Sequence, residues 1–223
     1  MMTDRTIETG AWYRRRGKRI VDVAGATLLS VVTLPVVLAT AVGVRATLGR
    51  PILFRQERAG IGGRPFTLIK FRSMVSEREA DRQGLSHDQR LTTFGRFLRR
   101  TSLDELPELW NVLRGDMSLV GPRPLLLRYN ERYSQVQARR LQARPGLTGW
   151  AQVNGRNDTT WSERLDRDVW YVENLSPVLD LKILLKTIPT VLLGVGVSPA
   201  EDEFMPEFAG EGSQTHTNDP IVS

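Results

Sequence analysis

The stretch IVDVAGATLLSVVTLPVVLATAVGV, residues 20–44, constrains the chain more than any other, because Asp22 is its only charge. As a helix it would run roughly 38 Å, against a bilayer hydrocarbon core of about 30 Å. Length therefore permits a membrane-spanning helix. A cleaved signal peptide would explain the basic start and the Ala-x-Ala pattern at Ala39 to Ala41, but the stretch is long for that purpose, and Asp22 and Pro35 interrupt it. A buried core helix would suit a segment apolar all round. A helix that enters the membrane and returns accounts for two further features. Pro35 removes a backbone donor and crowds the preceding turn, dividing the segment into arms 20–34 and 35–48. Each arm reaches roughly 21–23 Å, too short to cross alone. Basic residues flank both ends: Arg14, Arg15, Arg16, Lys18 and Arg19 before, and Arg45, Arg50, Arg55 and Arg58 after. The positive-inside tendency favours both ends in the cytoplasm. The sequence thus predicts a re-entrant helix broken at Pro35.

Charge is uneven along the chain. Residues 1–75 carry 13 Lys/Arg against 4 Asp/Glu, whereas residues 76–223 carry 18 against 21. A basic N-terminal third implies an anionic partner: lipid headgroups, nucleotide phosphates or nucleic acid. There is no cysteine, which excludes disulfides, iron–sulfur clusters and thiolate zinc. The only histidines, His87 and His216, lie in polar stretches, so a Ser-His-Asp system or a His-built metal site does not fit. Any metal would be a hard cation on oxygen ligands. At 223 residues the chain suits one domain with a real core.

PILFRQERAGIGGRPFTLIKFRSMV, residues 51–75, predicts a β-hairpin turning at AGIGGRP. Period-two alternation puts Phe66, Leu68, Lys70 and Arg72 on one face of its second strand. Lys70 and Arg72 read either as anion ligands or as charges guarding a strand edge. Residues 76–93 read as a helix and loop, and 94–100 resume an amphipathic pattern. In PELWNVLRG, Pro107 suits the first position of a short helix and Gly115 the position past its end. Residues 125–142 read as a helix and 161–175 as another. Between them, 143–158 read as a Gly- and Asn-rich loop offering Arg144, Gln152, Asn154 and Arg156 as donors. Residues 179–195 are amphipathic, with Leu181, Leu184, Leu185, Ile188 and Leu192 opposite Asp180, Lys182 and Lys186. Such a helix belongs in a core or at a membrane interface.

The chemistry concentrates in SLDELPELWNVLRGDMSLVGPRP, residues 102–124. Asp104 and Glu105 sit just before a helix N-terminus, where they could simply complement its positive end. Alternatively, two adjacent carboxylates raise each other's proton affinity, and a bound cation reverses that. A diphosphate recruits Mg²⁺ readily, because few protein ligands are then needed. An ionised Asp beside a metal-bound diphosphate is a competent nucleophile at phosphorus. Lys70, Arg72, Arg99 and Arg123 are the candidate cations for charge developing on phosphoryl oxygens. The prolines flanking Arg123 limit its backbone freedom.

KRIVDV, PILFRQERAG, PFTLIKFRSM, TSLDELPELWNVLRGDMSLVGPRP, RPGLTGWAQVNGRN and LDLKIL together resemble the bacterial sugar transferase family, the monotopic polyprenyl-phosphate phosphoglycosyl transferases. The likeness covers about residues 17–197, and the chain is similar to the small, diacetamidobacillosamine-phosphate transferase-like members. The resemblance implies an α+β fold: a re-entrant helix over 1–48, a small β-hairpin and mostly helical catalytic domain over 49–197 with interfacial helices, and a polar acidic tail over 198–223. It implies a UDP-sugar donor, N-acetylated by likeness to the small members or, as the alternative, a glucose or galactose donor as in the hexose-1-phosphate transferases of the family, with undecaprenyl phosphate as acceptor. Asp104 matches the nucleophile and a Mg²⁺ (or Mn²⁺) ligand, and Glu105 its partner. Arg99 and Arg123 match phosphate- or nucleotide-binding positions, and Lys70, Arg72, Gln152 and Arg156 stand beside them as candidate substrate ligands read from the residues themselves. It further implies the cytoplasmic face of the bacterial inner membrane, downstream glycosyltransferases as partners, and no nucleic-acid partner. Where small members often carry Ser-Pro at the membrane break, this chain has Leu34-Pro35. A nucleic-acid binder, supported by the basic pI, and a catalytically silent membrane scaffold are the competing readings.

The re-entrant reading fixes a topology that single cysteines can report, since the chain has none. Cysteines at Thr3 and Ser213 should both resist a membrane-impermeant thiol reagent in intact cells and both react after lysis. Labelling of the Thr3 site alone in intact cells would show that residues 20–44 cross the bilayer.

Overall fold

A computed structural model describes residues 12–84, 86, 88–155, 160–193 and 207–210. After a π-helical turn at Tyr13–Gly17, helix α1 runs over Lys18–Thr47. The backbone stays helical through Pro35 rather than stopping there. The Thr33 hydroxyl donates to the Leu29 carbonyl at 2.7 Å, a back-bond that bends helices. Thr33 stands directly before the Leu34-Pro35 pair.

Contacts, not backbone, divide α1 into two arms. The first docks through Asp22 and Ala26, both buried. The second docks through Val44, with Val37, Ala41 and Leu48 packed on the same cluster. That is i, i+4, i+7 and i+11 spacing, one face of a helix. Between the arms no residue from 27 to 36 is buried, and Leu28, Val31, Val32 and Leu34 are exposed.

Strands β1 (Leu53–Ala59) and β2 (Pro65–Phe71) form the expected antiparallel hairpin, Leu53 opposite Phe71 and Ala59 opposite Pro65. Helices α2 (Glu77–Gln83) and α3 (Thr93–Arg100) follow. Helix α4 (Glu108–Arg114) begins one residue later than expected, with Pro107 in the N-cap position and Gly115 closing it at φ 93°. Strand β3 (Ser118–Val120) pairs in parallel with β4 (Gly146–Thr148), and then come α5 (Trp150–Asn154), α6 (Trp161–Glu173) and α7 (Pro177–Leu193). The main core lies between α1, α4, β3, α6 and α7, around Ala26, Val112, Met117, Leu119, Tyr171 and Ile183.

Two expectations are corrected. Residues 125–142 are not one helix but two 3-10 segments, Leu127–Arg132 and Gln137–Gln142. Ser134 and Gln137 exchange hydrogen bonds, backbone N–H to side chain in both directions, which starts a new turn in the manner of a capping box. Residues 143–158 are not one loop, since they hold β4 and α5. Neighbouring glycines permit this. A Cβ on Gly146 would lie 2.0 Å from Gly121 N, and one on Gly149 would lie 2.1 Å from the Gly121 carbonyl oxygen. Only residues without Cβ let these backbones meet. The tail also returns to the domain at 207–210, where Phe208 is buried among Leu125, Tyr129 and Leu165.

Charged residues around α1 hold it to the domain. Arg14 donates to the Val172 and Glu173 carbonyls at the end of α6, and Arg19 to those of Val112 and Leu113 at the end of α4. Both satisfy orphan helix-end acceptors and complement the negative end of a helix. Asp180 accepts from Tyr13, Lys18 and Tyr171 at 2.6–2.7 Å. Asp22, the one charge in the apolar stretch, accepts from the Ser118 hydroxyl and the Leu119 N–H at 2.9 and 3.0 Å. Replacing Asp22 by Ala orphans the buried Leu119 N–H and should cost about 1–3 kcal/mol, read as a thermal midpoint several degrees lower in detergent. Asp22→Asn, which keeps an acceptor, should lose less. An unchanged midpoint for Asp22→Ala would show that α1 is not anchored through this carboxylate.

Candidate active site

Strand β2 supplies Lys70, the turn after α3 supplies Asp104 and Glu105, and α4 supplies Glu108. Their register is set by Asn111, fully buried on α4. Its Oδ1 accepts from the Ile69 N–H at 3.1 Å and its Nδ2 donates to the Thr67 carbonyl at 2.7 Å. The amide thus acts as a strand partner for β2 and holds Lys70 opposite the acidic turn. Lys70 Nζ lies 2.8 Å from Glu105 Oε1 and 3.2 Å from Glu108 Oε1. Arg123 Nη2 lies 3.5 Å from the same Glu105 oxygen.

The GPRP loop is braced from behind. Arg140, buried, donates to the Arg123 carbonyl at 2.6 Å and to Asp168 Oδ2 at 2.8 and 3.1 Å. Arg140 therefore positions Arg123 through its backbone, and Asp168 neutralises Arg140.

Asp104 occupies a 3-10 turn, Leu103–Glu105, entered through Ser102 at φ 54°. A serine in the left-handed region costs free energy that the surroundings must offset, and such positions cluster at functional sites. Ser102 makes no side-chain cap there, so the alternative capping-box reading of Ser102-x-x-Glu105 does not apply. The Asp104 side chain is buried, at 7% exposure. Burial, then the Glu105 charge, pushes its pKa up to about 6, against the pull of Lys70 and Arg99. Burial likewise raises Glu108 to about 7, against Lys70. Burial lowers Lys70, but Glu105 and Glu108 outweigh it and hold the ammonium charged.

Two clefts share Arg123. The first is lined by Lys70, Glu105, Glu108, Arg123, Arg58 and Leu147. The second is lined by Arg123, Gln152, Trp161, Arg164 and Asp168. Of the residues singled out in the sequence, Lys70, Asp104, Glu105 and Arg123 come together, and Gln152 joins them across Arg123. Arg99 acts on Asp104 and donates to the Ser73 hydroxyl at 3.0 Å. Arg72 lines neither cleft; its guanidinium bonds to the Arg50 carbonyl at 3.2 Å. Arg156 lies outside the described residues. Sequence reading missed Glu108, Asn111 and Arg140. Glu108 had a signal, since it lies one helical turn from Asp104 and Glu105.

Among the described residues no three acidic or histidine side chains gather to hold a metal. Glu105 and Glu108 are already engaged by Lys70, which leaves Asp104 as the hard oxygen donor. That set fits Mg²⁺ arriving with a diphosphate, because the ion keeps water and phosphate oxygens and needs one or two carboxylates.

These features define an acidic centre flanked by Lys70, Arg99 and Arg123 on an α+β domain that carries one helix long and apolar enough to cross a membrane. The chain belongs to the bacterial sugar transferase family, whose description matches residues 13–194. It is 47% identical over 195 residues to the uncharacterized sugar transferase EpsL of Bacillus subtilis, covering 87% of this chain and 96% of that protein. It is 44% identical over 185 residues to the UDP-glucose:undecaprenyl-phosphate glucose-1-phosphate transferase of Caulobacter vibrioides, covering 78% of this chain and 69% of that one. The UDP-galactose-lipid carrier transferase of Erwinia amylovora is 42% identical over 193 residues, but this chain spans only 40% of its length.

A buried carboxylate with a raised pKa destabilises the fold where it is ionised. From the usual 3.8 to about 6, the unfolded chain gives up its proton first, so the cost develops as pH rises through that window and is full above 6. Two units correspond to about 3 kcal/mol. Asp104→Asn should therefore unfold at a higher temperature than the wild type at pH 8 in EDTA. The gain should shrink as pH falls from 6 towards 4. A variant less stable than wild type at pH 8 would show that the Asp104 charge is stabilising instead.

Proposed function

We propose that the protein transfers a sugar-1-phosphate from a UDP-sugar to undecaprenyl phosphate, through a covalent intermediate on Asp104. The observation that carries this is the buried Asp104 carboxylate beside Glu105, with Lys70, Arg99 and Arg123 around it. In the first step an Asp104 oxygen attacks the sugar-bearing phosphorus, the bond to the bridging oxygen breaks, and UMP leaves. In the second an oxygen of the lipid phosphate attacks that phosphorus, and the Asp104 carboxylate is released unchanged. Arg123 and Lys70 offset charge on the phosphoryl oxygens as each bond forms. Glu105, fixed between Lys70 and Arg123, holds both cations in place. Asp104 would hold the Mg²⁺, which supplies charge neutralisation and keeps the carboxylate ionised near neutral pH.

The exposed surface supports a membrane placement. The bare apex of α1, residues 27–36, is apolar, whereas both arms dock on one domain. A re-entrant helix buries that apex in lipid and keeps both basic flanks on the cytoplasmic side, where nucleotide sugars reside. Helix α7 buries Leu179, Asp180 and Ile183 and exposes Val178, Leu181, Leu185 and Ile188, a face suited to the interface. The product would pass to glycosyltransferases that extend it into a glycan.

Two donor readings stand. NGRNDTTWSERLDRDVWYVENLS and GVSPAEDEFMPEF favour an N-acetylated sugar, though much of these stretches lies outside the described residues. The names of the relatives, UDP-glucose and UDP-galactose enzymes, favour a hexose. Purified protein with undecaprenyl phosphate, Mg²⁺ and a panel of UDP-sugars should release UMP with one class. EDTA should abolish release and added Mg²⁺ restore it. Mass spectrometry should find the phosphosugar on the peptide bearing Asp104, and Asp104→Asn should lose both adduct and turnover. Wild-type turnover by Asp104→Asn would sink the covalent mechanism, full activity in EDTA the metal, and exclusive use of UDP-glucose or UDP-galactose the acetamido reading.

A further inference from the structure

Arg72 is the cation that the clefts leave aside. It stands two residues beyond Lys70, where its N–H still donates to the Ile52 carbonyl at 2.9 Å in continuation of the hairpin. Successive outward steps along a strand put Lys70 and Arg72 on one face, about 7 Å apart. Their surroundings differ. Lys70 is matched by two carboxylates. Arg72 is the more enclosed of the two, at 7% exposure, yet it meets only the Arg50 carbonyl, through Nη1. Its Nε and Nη2 are buried and bond to nothing among the described residues. Enclosing a guanidinium with two donors unmatched is costly, and more so than for neutral groups.

Those donors sit where the membrane helix meets the domain. Arg50 lies three residues beyond the end of α1, after Leu48 and Gly49. A Cβ on Gly49, which has φ +73°, would lie 4.0 Å from Nη2, so the chain passes the guanidinium here with no side chain between. On the other side, Ser73 takes the Arg99 bond, and Arg99 acts on Asp104. Arg72, Ser73, Arg99 and Asp104 thus form a continuous sequence of neighbours from the helix exit to the buried carboxylate. Both clefts that share Arg123 exclude Arg72.

We infer that Arg72 binds the phosphate monoester of the lipid acceptor as it arrives from the bilayer, using Nε and Nη2 as a paired donor. A guanidinium fork matches two phosphate oxygens, and its charge strengthens both bonds. The inference rests on the proposed reaction for the identity of the acceptor, but not for the existence of the phosphate site.

The test compares wild type, Arg72→Met and Arg72→Lys in nanodiscs, with thermal unfolding as a check on folding. In steady-state assays, kcat/KM for undecaprenyl phosphate should fall in Arg72→Met by about tenfold or more beyond any fall in kcat/KM for the UDP-sugar, a difference of about 1.4 kcal/mol. Arg72→Lys, which keeps a point charge but not the fork, should lie between and decides the matter if the Met variant unfolds. An equal fall for both substrates, or a fall confined to the UDP-sugar, would overturn the assignment while leaving the reaction standing. Equilibrium binding of labelled undecaprenyl phosphate, without donor, should weaken in parallel. Equal binding by wild type and variants overturns the inference. Displacement of the lipid by inorganic phosphate at matching concentration would show a free-phosphate site instead. Should wild type turn over no UDP-sugar, the proposed reaction fails, and the binding arm still decides the role of Arg72.

Discussion

A lysine held between two carboxylates organises this site. Lys70 comes from a strand, Glu105 from a 3-10 turn and Glu108 from a helix, so one ammonium joins three elements. Glu108 without Lys70 would be a buried carboxylate without its ion-pair partner, and breaking such a pair costs more than the pair contributes. The geometry therefore cannot drift: the Asn111 amide fixes the strand to the helix, and the ion pairs then fix the acidic turn. Asp104 benefits from this rigidity without joining the pairs. It is buried beside them, its affinity for a proton raised by burial and by Glu105. The result is a carboxylate that is poorly solvated and poorly neutralised within the chain, a condition that favours an incoming cation and electrophilic phosphorus.

The same economy of charge ties the apolar helix to the domain. Arg14 and Arg19, read from the sequence as markers of membrane orientation, cap the C-terminal ends of α6 and α4. Asp22, read as an interruption of an apolar run, is a ligand for the β3 backbone. Each remains on the domain side of the helix, so neither role conflicts with the other. A helix joined to its domain only by apolar contacts could exchange them for lipid at little cost, because lipid tails are as apolar as Leu. Buried polar bonds have no such substitute in an apolar medium, so they hold α1 to the domain.

What was legible in the sequence follows the length scale of each signal. The hairpin, with two seven-residue strands around a glycine-rich turn, carries its own periodicity. Pro107 and Gly115 bracket α4 by conformational restriction alone, and Thr160 with Glu163 forms the capping box that opens α6. Strand β4 has three residues, too few for a period, and its existence depends on Gly121 meeting Gly146 from a distant part of the chain. The split of 125–142 was written in Ser134-x-x-Gln137, a capping pattern overshadowed by the surrounding helix formers. Asp104 and Glu105 stood out as an adjacent pair. Arg140 did not, because an arginine among arginines reads as surface; only the fold brings Asp168 and the Arg123 carbonyl to it.

Strand β2 then connects the two halves of the molecule. Its inner face packs Phe71 with Val44 and Leu98, where the second arm of α1 returns. Its other face carries Lys70 and, a step nearer that arm, Arg72. A rigid strand thus sets the distance between the charge cluster and the helix exit, and the two cations cannot move independently. The matching of one by carboxylates and not the other is a division of labour imposed by charge. Lys70 is neutralised from within, by Glu105 and Glu108. Arg72 has no acidic neighbour to neutralise it among the described residues, and its unmatched donors lie where α1 meets the domain at Gly49 and Arg50.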